Sequence, residues 1–379
     1  MSAESNLGDL IRHYRERLDL TQRQLAERAG FTALQTISDI ERSKREVKAW
    51  ELVKLSAALH TSVDVLLGLQ QVVQPRVFWR SGSPARSAAR EAQLLERARR
   101  YHQLEEWCDI CLPKDLPDYR FEPASASYTD AIRIADQARG LLGLGSRPAA
   151  ALTAVLEEEF GVKIFYEDLE GDQSAASVRG DFGAAILMDS SEAPWRRNFS
   201  FGHELFHLVT WEAVDRAWQS DVGAGADPEW LEYLERLANA FAAHLLLPAD
   251  EVASQFDSRF PEGALSDSDH WDLIELAREF GVSTSALIWR LVFLKRLSEE
   301  QGQLLLNSAE FNRKDRRSMV GRWDTPDPLP DRYLRLARMA FEKGNLSRAR
   351  LAEFLEVGLG ELSEMELDED AGQAQAAPA

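Results

Sequence analysis

Three residues in one short run carry the most specific chemistry in this chain. His203, Glu204 and His207 form His-Glu-x-x-His inside Phe201–Leu208. On a helix, residues four apart share a face about one turn apart, so both imidazoles can reach one metal ion. Glu204 follows the first histidine directly, where a carboxylate can take a proton from water activated at the metal. This is the pattern by which a helix holds zinc for hydrolysis. The apolar residues Phe201, Leu205, Phe206 and Leu208 would bury such a helix. The run also fits a core helix whose two histidines are satisfied by hydrogen bonds, so a further ligand has to separate the two readings.

A catalytic zinc ordinarily takes three protein ligands and a water. Glu235 stands near the start of a second helical run, Glu235 to Leu247, in which small residues alternate with large apolar ones and Pro248 ends the helix. Glu235 can supply the third ligand. His-Glu-Leu-x-His followed by Glu-x-x-Ala-Asn-x-Phe-Ala-Ala-x-Leu-Leu-x-Pro resembles the ImmA/IrrE family of zinc metallopeptidases. The resemblance implies His203, His207 and Glu235 as ligands of Zn2+ and Glu204 as general base. It further implies cleavage of a partner protein, such as a transcriptional repressor, after a stress signal. His244 lies nine residues beyond Glu235, on the opposite side of the helix, and is expected to be structural. His270 is expected on the surface.

The elements that must position these residues follow in the pattern. Tyr128–Leu142 and Pro148–Phe160 read as helices. Strand-like runs follow at Val162–Tyr166, Ala176–Val178 and Gly183–Met188, which predicts a small sheet beside the metal helix. The resembled family has the same pieces in the same order. After Pro248, Leu273–Phe280 and Ala286–Val292 make a helix-turn-helix-shaped pair. It displays little basic charge and is expected to pack on the peptidase domain. Asp331 to Leu362 is a further helical unit, with Gly344–Ser347 as its turn and N-cap.

The N-terminal segment is of a different kind. Leu7, Leu10, Ile11, Tyr14 and Leu18 recur at helical spacing, Thr21-Gln-Arg-Gln24 is a capping box, and Gly30 permits a tight turn. Thr-Gln-x-x-Leu-Ala-x-x-Ala-Gly followed by Ile-Ser-x-Ile-Glu-Arg resembles the lambda-repressor-like (XRE-family) helix-turn-helix, in which the helix after the turn enters the major groove. Two features depart from the family pattern. One extra residue separates Gly30 from Ile37, and Ser43 stands where glycine is usual. The resemblance implies binding of a double-stranded DNA operator by a homodimer. Gln22, Arg42, Lys44 and Arg45 are the candidates for phosphate contact, and Gln35, Thr36 and Ser38 for base contact. The alternative is a helix-turn-helix kept for protein contacts alone.

Composition sets the outer limits. The chain has 379 residues, 45% of them hydrophobic and 28% charged, which suits several globular domains. Its net charge is −19. Residues 1–70 balance to zero, so a DNA-binding face would be local. No apolar run approaches a membrane helix, the N-terminus lacks a basic-then-apolar leader, and the two cysteines, Cys108 and Cys111, make no disulfide framework. A cytoplasmic protein with no membrane partner is expected.

The expected fold is a mainly α multidomain chain: an all-α helix-turn-helix head plus an α+β zincin-like peptidase domain with a small sheet and a helical C-terminal region. The expected divisions are 1–70 for the head and 71–125 for an exposed connection with a basic helix. The metallopeptidase domain takes 126–250 and its helical extension 251–300. A C-terminal helical region (301–365) and a disordered acidic tail (366–379) complete the chain. Functionally the residues point to a DNA-binding regulator with a zinc endopeptidase domain. The competing reading keeps the DNA binding and makes the zinc domain a non-hydrolytic sensor or scaffold.

Overall fold

The computed structural model describes residues 7–18, 20–31, 33, 35–59, 61, 63–67, 75–80, 87–110, 114–120, 125–170, 173–220, 228–261, 269–318 and 323–362. The acidic tail and Cys111 lie outside them. Two compact units result, one of residues 1–77 and 82–106, the other of 78–81 and 107–379.

The first unit holds α1 (Leu7–Arg17), α2 (Gln22–Arg28), α3 (Gln35–Glu41), α4 (Ala49–Ala58), α5 (Val63–Leu66) and most of α6 (Ser87–Trp107). Its core joins Ile11, Tyr14 and Leu18 of the first helix to Leu25, Ala26, Ile37, Ile40, Leu52, Leu55 and Leu66. These are the positions that helical periodicity marks as the inner face. Thr21 caps α2: its hydroxyl accepts from Gln24 N at 3.2 Å, and Gln24 Oε1 accepts from Thr21 N at 2.8 Å. Such a cap stabilises a helix by about 1 kcal/mol. Ser43 takes a left-handed φ of 54°, the conformation for which glycine is the usual choice.

The second unit is built on a four-stranded sheet of order β1-β3-β4-β2, with β1 at Val77–Arg80, β2 at Lys163–Glu167, β3 at Ala175–Gly180 and β4 at Gly183–Asp189. β3 runs antiparallel to β4, with Ser177 opposite Ile186, and β2 runs parallel to it, with Ile164 beside Ile186. The strand β1 corrects the expectation of an exposed connection. Phe78 on it is 8% exposed and packs edge to face on Trp211.

Helices cover this sheet. α7 (Tyr128–Leu141) and α8 (Pro148–Glu158) precede β2, and α9 (Pro194–Val209) packs on β3 and β4. After α10 (Trp211–Ser220), α11 (Pro228–Leu246) lies against both α9 and α7. Gly202 is what lets α9 and α11 close up: a Cβ there would stand 3.2 Å from the Cβ of Ala242 and 3.3 Å from its Cα. Then follow α12 (Ala249–Arg259), α13 (His270–Glu279), α14 (Thr284–Phe293), α15 (Glu299–Asn307), α16 (Ala309–Ser318), α17 (Asp331–Glu342) and α18 (Arg348–Phe354). The Ser347 cap accepts from Arg350 N, as its turn pattern predicts. His270 is buried, not on the surface, because its ring meets Phe311 of α16 edge to face at 5.1 Å.

Candidate functional site

α9 and α11 bring three of the sequence-predicted groups to one point. Ligand atoms of His203, His207 and Glu235 all lie within 4.8 Å of one another. Glu235 Oε2 is 3.1 Å from His203 Nε2, Glu235 Oε1 is 3.3 Å from His207 Nε2, and the two Nε2 atoms are 3.3 Å apart. Both histidines are buried, whereas the Glu235 side chain is 38% exposed. The cluster therefore opens on its α11 side. Burial would raise the Glu235 carboxyl, but hydrogen bonds from both imidazoles overcome that and hold it far below its ordinary range. Burial likewise works to lower His207, and Glu235 reverses the balance so that its pKa is raised.

Glu204 is fully buried, and neither carboxylate oxygen finds a hydrogen-bond partner among the described residues. An ionised carboxylate in that state costs several kcal/mol, on the order of 3–5 when a buried partner is missing. A divalent cation beside it, with its water, would remove that cost. The donor set of two imidazoles and one carboxylate is that of catalytic zinc, which leaves a fourth position open. The residues present thus fit the ion.

Two neighbours of this cluster have no role in the sequence reading. Asn239 Oδ1 lies 3.0 Å from His203 Nδ1, one turn beyond Glu235 on α11. With the amide oxygen accepting, Nδ1 carries the proton and Nε2 keeps its lone pair for a metal. The signal was present as the i, i+4 spacing of Glu235 and Asn239. Phe78 stacks on the His207 ring, centroids 5.7 Å apart and planes within 10°. No local pattern could show that contact, since β1 is far away in the chain. His244 stands apart from the cluster, with Nδ1 2.8 Å from the Ala240 carbonyl. Cys108 is buried, its Sγ 3.4 Å from the Leu336 carbonyl, and belongs to no cluster of metal-binding groups among the described residues.

The candidate DNA face in the first unit divides differently from the sequence reading. Gln35 is exposed and Thr36 half-buried at the start of α3, but Ser38 is buried beside Ile37. Ser38 is thereby corrected as a base-contact candidate: at 8% exposure it presents too little surface to serve as one in this conformation. Gln22 Nε2 donates to Glu41 Oε2 at 2.8 Å, and the same buried carboxylate receives Arg15 Nη2 at 3.2 Å. Arg45 pairs with Glu51 at 2.5 Å. Although burial acts to raise Glu51, the Lys48 amide and Arg45 together hold its pKa low. Arg42 and Lys44 remain exposed.

Comparison with known proteins identifies both regions. Residues 157–292 match the family model for the IrrE N-terminal-like domain, peptidase M78, and residues 11–66 match a Helix-turn-helix family model. A solved structure described as a Mycobacterium tuberculosis transcriptional regulator is 16% identical, with a TM-score of 0.32 over 51% of this chain and 51% of that one. The chain thus spans about half the length of that structure, and at this score the likeness defines neither fold nor function. No curated protein matches the chain. No helix among the described residues is long and apolar enough to cross a membrane. The chain therefore joins a helix-turn-helix domain to an IrrE N-terminal-like domain of the M78 peptidase family.

Proposed function

We propose that this chain is a cytoplasmic, DNA-binding transcriptional regulator whose M78-family domain is a zinc-dependent endopeptidase with a narrow range, acting on a partner protein such as a repressor. One observation carries the peptidase half: His203, His207 and Glu235 converge within 4.8 Å while the adjacent Glu204 carboxylate is buried with both oxygens unpartnered. A site built only to hold a metal has no use for that fourth group.

In this reading His203, His207 and Glu235 hold the zinc, and Asn239 fixes the His203 tautomer. Bound there, zinc supplies Lewis acidity, which polarises a peptide carbonyl and acidifies a water. The Glu204 carboxylate accepts the proton of the attacking water and passes it to the departing amine. The opening beside Glu235 gives an extended peptide its approach. The helix-turn-helix domain supplies DNA recognition by a homodimer through α3, with Gln35 and Thr36 toward the bases and Arg42 and Lys44 toward phosphates.

Metal analysis of wild type, His203→Ala and Glu235→Ala proteins tests the ligand set, with one zinc per chain expected only in wild type. Glu204→Gln keeps the shape of the side chain but cannot take the proton. It is expected to retain zinc and DNA binding and to lose about 10²–10⁴-fold in cleavage. Cells carrying Glu204→Gln should lack the partner-protein fragments that wild type produces. Identical fragments and identical regulated transcripts in both strains would reduce the zinc domain to a sensor or scaffold.

A further inference from the structure

A cavity of about 750 Å³ lies along the N-terminal half of α9, the last turns of α11 and the start of α14, and none of His203, Glu204, His207 and Glu235 lines it. Two of its lining residues, Arg290 and His244, are 6% and 8% exposed. Each has a ring or guanidinium nitrogen, Arg290 Nη1 and His244 Nε2, with no hydrogen-bond partner among the described residues. The remaining contacts of both groups are fixed. Arg290 Nε donates to the Leu247 carbonyl at 2.9 Å. His244 Nδ1 lies 2.8 Å from the Ala240 carbonyl and so carries the ring proton, which leaves Nε2 as an acceptor.

The electrostatics keep these roles distinct. Burial and then the Arg290 charge push His244 down, which holds the imidazole neutral. Burial pushes Arg290 down only to about 10, so it stays charged at neutral pH. Asp136, outside the lining, attracts the charge but is itself paired with Arg139 at 2.7 Å, and the acids in the lining are engaged elsewhere. Glu192 accepts from the hydroxyls of Ser174 and Ser200, and Asp315 from Thr284 and Arg278. Phe293 faces both groups, its centroid 5.3 Å from the guanidinium and 5.0 Å from the imidazole. One turn earlier on α14, Trp289 also lines the cavity, and the two aromatic side chains are 43% and 59% exposed for Trp289 and Phe293. A cation with one unpartnered nitrogen, an unpartnered acceptor and an aromatic wall in one concavity make a small-molecule site.

We infer that this cavity binds a small organic acid with an aromatic or apolar body, its carboxylate accepting from Arg290 and an adjacent hydroxyl donating to His244 Nε2. A phosphate dianion fits less well, because its additional anionic oxygens would face the imidazole lone pair and the two lining carboxylates. An α-hydroxy carboxylate offers one acceptor group and one donor, which is the complement of the pair. Phe199 and Ser200 also line the cavity, one turn before His203 on α9, so an occupant would lie close to the metal-binding turn without entering it.

Calorimetric titration of the full-length protein with 3-phenyllactate tests the assignment. Saturable binding with a Kd of about 1 mM or tighter is expected for a ligand of this size. The neutral amide of the same acid should bind at least ~10-fold more weakly, and 3-phenylpropionate, which lacks the hydroxyl, should fall between them. Arg290→Gln should abolish binding. Because that change also removes the bond to Leu247, Ser285→Trp provides the second variant. Ser285 is an exposed lining residue, and an indole there would block the cavity while leaving the thermal midpoint unchanged. Glu204→Gln should bind the acid like wild type, which separates this site from the peptidase reading. No saturation up to about 20 mM, equal binding of acid and amide, or unchanged binding in a folded Ser285→Trp protein would each overturn the proposal.

Discussion

His203 Nδ1 and Asn239 Oδ1 lie 3.0 Å apart, across the seam between α9 and α11. The contact holds the imidazole so that its other nitrogen faces Glu235 and His207. Partners of this kind typically contribute 10–100-fold to metal affinity, in about the range of one hydrogen bond plus an orientation effect. Asn239→Ala should therefore lower zinc affinity by about that factor while leaving the fold intact, since Asn239 is exposed. Competition with a chromogenic chelator measures it. Zinc affinity equal to wild type would mean that the ring is oriented by Phe78 and helix packing alone.

Gly202 and Ala242 are in close contact across the same two helices, Gly202 just before His203 on α9 and Ala242 beyond Asn239 on α11. Gly202→Val would place a branched side chain where even a Cβ is 3.2 Å from its neighbour. Overpacking of this kind costs about 1–3 kcal/mol. It should also move Glu235 away from the two histidines, because α11 must shift as a body. The expected result is a lower midpoint in urea together with loss of zinc, and Gly202→Ala should show a much smaller version of both. A Gly202→Val protein that is destabilised yet binds zinc as tightly as wild type would show that Glu235 adjusts independently of the helix.

The spacing within each helix was legible in the sequence, and contacts between distant segments were not. His203 with His207, the Thr21 cap, and the inner faces of α1 to α4 all follow from periodicity and capping chemistry, which act over a turn or two. Glu235 is found because its own helix carries a recognisable pattern, and Asn239 was within reach of the same i, i+4 argument. Phe78 was not: β1 has only four residues, and its partner strand lies about a hundred residues later. His270 was misplaced for a related reason, since its neighbours Asp267, Ser268 and Asp269 are polar while the ring that buries it, Phe311, belongs to a later helix. Ser38 was misjudged on helical phase, because the buried arc of α3 is wide enough to take in Ile37, Ile40 and Glu41 together with it.

In the helix-turn-helix domain, Gln35, Arg42 and Lys44 are exposed, whereas Gln22 and Arg45 are tied to the buried carboxylates of Glu41 and Glu51. Gln35→Ala should weaken binding to a selected operator while sparing unrelated duplexes. Arg42→Ala and Lys44→Ala should weaken all duplexes alike and reduce the salt slope by about one each. Arg45→Ala should act differently, because it leaves the buried Glu51 without its ion-pair partner. A loss of stability of about 1–3 kcal/mol is expected, appearing in unfolding before it appears in DNA binding. Fluorescence anisotropy at several salt concentrations, with urea unfolding of the same proteins, checks the division. A change in salt slope for Gln35→Ala of the size seen for Arg42→Ala would assign Gln35 to phosphate.

The last prediction concerns Glu157 on α8. Burial, then the neighbouring Glu158 charge, push its carboxyl from an ordinary 4.5 up to about 7, against the pull of Arg332 and Arg335. Asp331 adds to the upward push, and Tyr166 faces the same group from β2. One Glu157 oxygen has no partner among the described residues. The folded protein thus holds a proton that the unfolded chain releases near 4.5. The resulting stability is fully present below that pH and is lost as pH rises through about 7. The full swing is at most about 3 kcal/mol, reduced by whatever solvent reaches the carboxyl. Glu157→Gln cannot ionise, so the difference in unfolding free energy between variant and wild type should grow in the variant's favour from pH 5 to pH 7.5, then level off. Other titrating groups cancel in that difference. A difference that stays flat across the range would place the Glu157 pKa near its unfolded value and identify the α8–α17 contact as well solvated.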